Sequence, residues 1–474
     1  MRRWALTLLA VMLVSPFLTR WYCLWLVPDV ALPFDEAEFL SAENVADEDD
    51  AFVEYQAAVR SVVASGSKWV AKGASTADVW LSIDQAIMNP DQPRDPKLDE
   101  WIGDNTSTLD HYRRGGEKPH AKGPSLRTMD VTTMLSAHND LRRLAQLARV
   151  QAQICEEAGD VDSAWQWHRA NLQCARHAET PKIDICRLVG MAIRSHAISG
   201  IVRWSESPLV NARQLRTARA EIQAETARRT LRSDCSNGEY LLSRNTLSRK
   251  DAPNHLLPAL NSGIAKDPAW LPLKRIGLWF VGQPEVMLRL QRQLLVNNRR
   301  SIDLPLNQRA RVLPCDGAVV IDTTEKRSGG QLDPGTLAKS LSKSPWQLDE
   351  YRKSVSAPHV DEAIRREDAR LFALMIVLAC QEYHRDHAKF PASLEDLIPN
   401  YLEAIPFDPM LATAVRIQYR LNPDGDAVVW SVGQDGVDDD GDVDALGRID
   451  KDTGYQISKP IRNITSALVP SNAP

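Results

Sequence analysis

Apolar residues recur every three or four positions over most of the stretch from about Asp35 to Ser301, a spacing that predicts α-helices packed by one face. Leu141, Leu144, Ala148, Ala152 and Cys155 make one stripe; Val161, Ala164, Trp165, His168, Leu172 and Ala175 make the next. Between them stands Gly159-Asp160. Glycine suits the left-handed residue that ends one helix and aspartate suits the N-cap of its successor, so a tight antiparallel hairpin is expected there. The same face logic continues through Ile185, Leu188, Val189, Ala192 and Ile193, and Pro284 suits the start of a helix carrying Val286, Met287, Leu290 and Leu294.

From about Asp303 to Pro358 the periodicity fades, and Ser328-Gly329-Gly330 with Asp333-Pro334-Gly335 marks turns. The expected division is residues 1–33 as anchor or signal, 34–325 as a helical domain, 326–358 as a linker, 359–458 as a small second domain and 459–474 as a tail. That second domain opens with a helix from Val360 to His387, charged from Arg365 to Asp368 and apolar from Leu371 to Cys380. Ten apolar residues are too short to span a bilayer but suit burial under a small sheet. Ile417 to Leu421 and Ala427 to Ser431 read as two strands joined at Asn422-Pro423-Asp424-Gly425.

The amino terminus changes the compartment. Arg2 and Arg3 precede an apolar run from Trp4 to Leu18, and no small-residue cleavage site follows. Residues 4–27 are therefore expected to span the inner membrane once, with the start cytoplasmic, Arg20 snorkelling, and Trp21, Tyr22 and Trp25 at the far interface. The bulk of the chain is then periplasmic; secretion after signal cleavage is the competing reading. The seven scattered cysteines form no CxxC pair and suit buried free thiols, although a Cys155/Cys174 or Cys174/Cys186 bridge stays open.

Composition excludes little else. With 474 residues and 43% hydrophobic content the chain can bury a proper core, and a net charge of −5 gives no field for nucleic acid. Arg228, Arg229 and Arg232 are expected at a solvated helix end. Most of the thirteen tryptophans are expected in the core, as is His168, while His384 and His387 suit the surface. No nucleophile elbow, phosphate loop or zinc motif is present in the sequence.

The densest chemistry is acidic. Asp435, Asp438, Asp439, Asp440, Asp442 and Asp444 lie within ten residues with no lysine or arginine among them, so solvent or a cation must manage their repulsion. An EF-hand is excluded because Gly436 falls on the first ligand position when Gly441 takes the invariant glycine. Asp435 with Asp440 would make a poor acid/base pair, since crowded like charges suit a cation better than proton transfer.

Two resemblances bear on these segments. Ala152, Gly159 and Ala164 are spaced like the small residues of one tetratricopeptide hairpin, with no second copy, which makes a protein partner on the helical domain one expectation. More of the chain is covered by the second. Tyr383 to Leu397, Ile405-Pro406-Phe407-Asp408-Pro409, the two strands and Ser431-Val432-Gly433-Gln434-Asp435-Gly436 resemble, in order, the globular domain of the type II secretion major pseudopilin.

That resemblance implies a helix against a small antiparallel sheet, and an acidic loop that binds Ca2+ through carboxylates and main-chain carbonyls. The matching metal positions are Ser431, Asp435, Asp438, Asp439, Asp440 and Asp442. Hard oxygen donors suit calcium, and such extracytoplasmic sites have dissociation constants of roughly 0.1 to 1 mM. No processing site or membrane helix leads into this segment, so the resemblance implies a fold and not fibre assembly. The expected fold is mainly α: a membrane anchor, a helical hairpin domain, and a small α+β carboxyl-terminal domain. The expected function is a membrane-anchored, extracytoplasmic structural or interaction protein of a bacterial envelope, non-catalytic, with a calcium-stabilised terminal module. The alternative is an extracytoplasmic enzyme with an unrecognised site in the helical domain.

Overall fold

The computed structural model describes residues 14–22, 24–25, 29–71, 75–133, 135–248, 283–309, 357–433, 435–443 and 451–459. The chain is mainly helical with one small antiparallel sheet, as expected. The helices are α1 Glu36–Ser41, α2 Ala51–Ala71, α3 Thr76–Met88, α4 Pro96–Asp104, α5 Thr106–Glu117, α6 Ser136–Glu157, α7 Val161–Ala178 and α8 Asp184–Glu206. They continue as α9 Ala212–Ala227, α10 Arg232–Ser248, α11 Gln283–Asn298, α12 Leu306–Arg309 and α13 Ala357–His387. Strands β1 Gln418–Leu421, β2 Ala427–Ser431 and β3 Thr453–Ile457 pair in chain order, with Tyr419 opposite Val429 and Trp430 opposite Gly454.

The α6–α7 hairpin forms as its residues dictate. Gly159 takes φ +78°, where only glycine is free of strain, and the Asp160 carboxylate accepts the Ser163 N–H at 3.0 Å to cap α7. Both hairpin stripes are buried, apart from half-exposed Cys155 at the end of α6. The third stripe needs correction. Ile185 is 50% exposed, and the inward face of α8 runs through Cys186, Arg187, Gly190, Ile193, Arg194, Ala197 and Ile201. Two arginines on a core face defeat a reading that sorts positions by polarity alone. Among the described residues α8 is also the one helix long and apolar enough to cross a bilayer, but half of that window is buried inside the protein.

Helix α13 explains the apolar run at Leu371 to Cys380 more fully than a sheet alone. Leu371, Leu374 and Leu378 pack with Val161, Trp165, Trp204, Leu215 and Ile222 of the helical body. Ala373, Ile376, Val377 and Cys380 face the other way, onto Phe390, Val429 and Ile457. A helix apolar all round is buried all round, and α13 belongs to both cores.

Polar contacts fasten the same helix. Glu367 meets Arg187, Arg194 and Arg229, and Arg309 grips Asp361 with both carboxylate oxygens at 2.9 Å. Glu382, fully buried, meets Arg216 at 2.7 Å and Arg219 at 3.0 Å. The expected solvated arginine end is therefore overturned for two of its three members. Arg229 bonds Asp368 at 2.7 Å, Arg232 is buried against Asp184, and Arg228 alone stays exposed. Of residues 326–358, read as a linker, 326–356 lie outside the described residues and Ala357 and Pro358 open α13 instead; Trp4 to Leu13 of the expected anchor also lies outside the described residues.

The five described cysteines, Cys155, Cys174, Cys186, Cys235 and Cys380, are free, so neither open bridge forms.

Candidate metal centre

A type of loop in which each carboxylate has a different neighbour replaces the undivided acidic cluster of the sequence. Asp440 and Gly441 both take left-handed backbone, at φ 56° and 75°, which turns the chain sharply between Asp439 and Asp442. A Cβ at Gly441 would press on the Trp430 ring at 3.0 Å, so glycine is required there twice over. The Trp430 indole N–H donates to Asp438 Oδ1 at 2.9 Å and pins the loop to β2.

Two cations that are distant in sequence reach the cluster. Arg420 on β1 pairs with Asp440 at 2.7 Å, its guanidinium lying over the Trp430 ring, and Lys451 pairs with Asp442. Asp435 lies exposed and accepts the Val437 N–H at 3.1 Å. Ser431 is fully buried and donates its hydroxyl to Asp408 Oδ1 at 2.7 Å. Asp408 also accepts the N–H groups of Met410 at 2.8 Å and Val432 at 2.9 Å. It thereby ties the Pro406-Phe407-Asp408-Pro409 turn to the end of β2. Burial pushes its carboxyl up, and the three donors oppose the rise. Replacing Asp408 with alanine leaves two N–H donors buried without an acceptor and is expected to cost roughly 1–3 kcal/mol, read from a denaturant melt. A change below a few tenths would show that water takes the place of the carboxylate.

Asp438 and Asp439 lie close enough to Asp452 for their charges to act on it. Asp452, 1% exposed, accepts the Gly441 N–H at 2.9 Å through Oδ2. Its Oδ1, and Oδ2 of Asp439, are buried with no hydrogen-bond partner among the described residues. Burial, together with the charges of Asp438 and Asp439, pushes the Asp452 carboxyl up to about 6, against the backbone donors of Gly441 and Asp439. Buried acceptors without donors are costly unless a cation or water meets them. No family model, curated protein or solved structure matches the chain.

Hence the local geometry carries the chemical argument. Among the described residues no three metal-ligating side chains are already gathered at one point. The orphaned oxygens of Asp439 and Asp452 nonetheless fit a hard cation, with Asp438 beside them. Of the residues expected to hold an ion, Asp438 and Asp439 fall at this point. Asp440 and Asp442 are neutralised from within the chain, Ser431 serves Asp408, and Asp435 lies exposed on the Val437 N–H; Asp444, a further member of the acidic run, lies outside the described residues. Asp452 was missed because the count of crowded aspartates stopped before it; the strand-like Thr453 to Ile457 after it was the available signal.

The histidines singled out in the sequence are held by neighbouring side chains. His168 is fully buried with its Nε2 at 2.9 Å from Glu156, and a Cβ at Gly200 would collide with its ring. His387 is exposed with Nε2 at 3.2 Å from the Tyr401 hydroxyl, which donates to Asp386, while the His384 ring leans on Phe390. These histidines do not converge on a common point.

Proposed function

We propose that this chain is a membrane-tethered structural or interaction protein of a bacterial envelope, non-catalytic, whose pseudopilin-like carboxyl-terminal module is held in shape by calcium. The observation that carries the reading is the pair of unmet carboxylate oxygens on Asp439 and Asp452 beneath the acidic turn. Asp438, Asp439 and Asp452 would hold the ion, which supplies positive charge and oxygen coordination at the point where the turn meets β3. Its role is mechanical. By drawing the 438–442 turn onto Asp452, it fixes β3 beside β2, and through α13 the stiffened sheet is continuous with the helical body.

The tether is supported by a stripe on the helical residues 14–25. Phe17, Leu18, Trp21 and Trp25 are 57%, 58%, 64% and 65% exposed at spacings that share one helix face. Arg20, expected to snorkel, pairs instead with Glu285 of α11 at 2.8 Å.

A thermal melt of the full chain with calcium or with a chelator tests the metal. Because Leu371, Leu374 and Leu378 belong to the core of the helical body, excision of residues 359–458 would expose them. At one hundred times the dissociation constant, calcium is expected to add about 2.7 kcal/mol. Asp452→Asn should abolish most of that increment. Identical melts in calcium and chelator would remove the ion from the account and leave the tether standing.

A further inference from the structure

Helices α2, α3, α4 and α6 enclose a groove of ≈ 450 Å³ far from the acidic loop. Its long wall is hydrocarbon: Val59, Val63 and Val70 from α2 and Leu144 from α6. Val63 and Val70 are 62% and 56% exposed, although each stands on a helix whose opposite face is buried with Tyr55 and Trp69. A volume of this size is in the range of sites for small organic ligands.

The groove is lined by one buried donor that no described residue accepts and by one exposed cation. The Trp101 indole N–H is buried without an acceptor although the residue is 1% exposed, and Trp101 lines the groove. At the rim the Arg143 guanidinium lies 5.5 Å over the Trp80 ring, and no described carboxylate forms an ion pair with it. Asp140, one turn earlier on α6, lines the same rim. An apolar wall with an exposed guanidinium at its rim, tempered by the charge of Asp140 beside it, is complementary to a ligand with a hydrocarbon body and a single anionic end.

We infer that this groove binds a slender apolar carboxylate of the free fatty acid class, its chain along the valine wall and its carboxylate at Arg143. Asp140 repels a second anion and so favours one headgroup in one orientation. The aromatic face of Trp80 holds the guanidinium in place between ligands.

The test is photo-crosslinking on the full chain in phosphatidylcholine nanodiscs, with peptide mapping so that partition into lipid is separated from occupation of the groove. A diazirine-bearing dodecanoate should label peptides of α2 and α6 saturably, and unlabelled dodecanoate should compete. Arg143→Ala is expected to lower that labelling at least tenfold, while exposed neighbouring Arg142→Ala leaves it unchanged. Gly66→Leu is the second variant. A Cβ at Gly66 has ordinary contacts with Thr76 at 3.4 Å and Trp101 at 3.7 Å, so the backbone accepts a side chain at this groove-lining position, and the melt of the variant reports whether the rest of the leucine fits. Gly66→Leu should abolish labelling with an unchanged melt. The inference is overturned if a dodecyl trimethylammonium probe labels the same peptides as well, if Arg143→Ala labels like the parent, or if only residues 14–25 are marked.

Discussion

Glu367→Gln is expected to lower stability by about 3–5 kcal/mol, because it leaves the two buried guanidiniums of Arg187 and Arg194 short of a counter-charge, while partly exposed Arg229 keeps Asp368. Glu367 is 5% exposed and receives Arg187 at 2.9 Å, Arg229 at 3.2 Å and Arg194. The same Arg187 and Arg194 also bracket Glu179, which in turn accepts the Thr230 N–H at 2.7 Å. Glu179 and Glu367, with Asp368 on Arg229, thus hold three arginines where α8, α13 and the segment after α9 meet. Removing one acid strands charge that burial keeps from water.

The ionisation of this residue shows the balance. Burial opposes the charged form, but Arg194, Arg187 and Arg229 outweigh it and hold the Glu367 carboxyl at about 2. A folded value below the ordinary one means that this contribution is fully present above pH ~4.3 and is lost as pH falls through the folded value. The parent should lose stability between about pH 4 and 2 more steeply than Glu367→Gln, in which the group is absent. The double variant Glu367→Leu with Arg194→Met should recover part of the loss, since an apolar replacement of a buried pair is often neutral. Equal stability of Glu367→Gln and the parent in denaturant melts would mean that water already reaches the cluster.

Trp204→Ala is expected to cost a similar amount, about 3–5 kcal/mol, through the cavity it opens. Trp204 is 1% exposed, its ring lies 5.1 Å from that of Trp165, and its N–H donates to the Val161 carbonyl at 2.9 Å. Its core contains Leu371, Leu374 and Leu378, so the loss should loosen α13 and hence the sheet. Trp204→Phe keeps most of the ring volume but strands the carbonyl, at roughly 1–3 kcal/mol. Amide exchange on β2 and β3 offers the sharper readout. Protection there should fall in Trp204→Ala; unchanged protection would show that the sheet does not depend on the helical body.

Local rules explain why several elements were legible in advance. The α6–α7 hairpin follows from one glycine, one aspartate and two apolar stripes, and β1 and β2 from two short runs joined at an Asn-Pro-Asp-Gly turn. The limits appear where a partner is remote. Arg187 and Arg194 read as polar until Glu367, 180 and 173 positions away, arrives to neutralise them. Likewise the acidic loop reads as unrelieved until Arg420 and Lys451 are brought beside it.

Helix periodicity, capping residues and turn chemistry act over a few neighbours, and the order of the amino acids was enough to place the α6–α7 hairpin, helices α11 and α13, the two hairpin strands and the acidic run. Which arginines are buried, that α13 is shared by two cores, and that Asp452 completes the acidic turn all depend on residues far apart in the chain. Electrostatic and packing energies are set by distance in space, and folding alone brings those distances about.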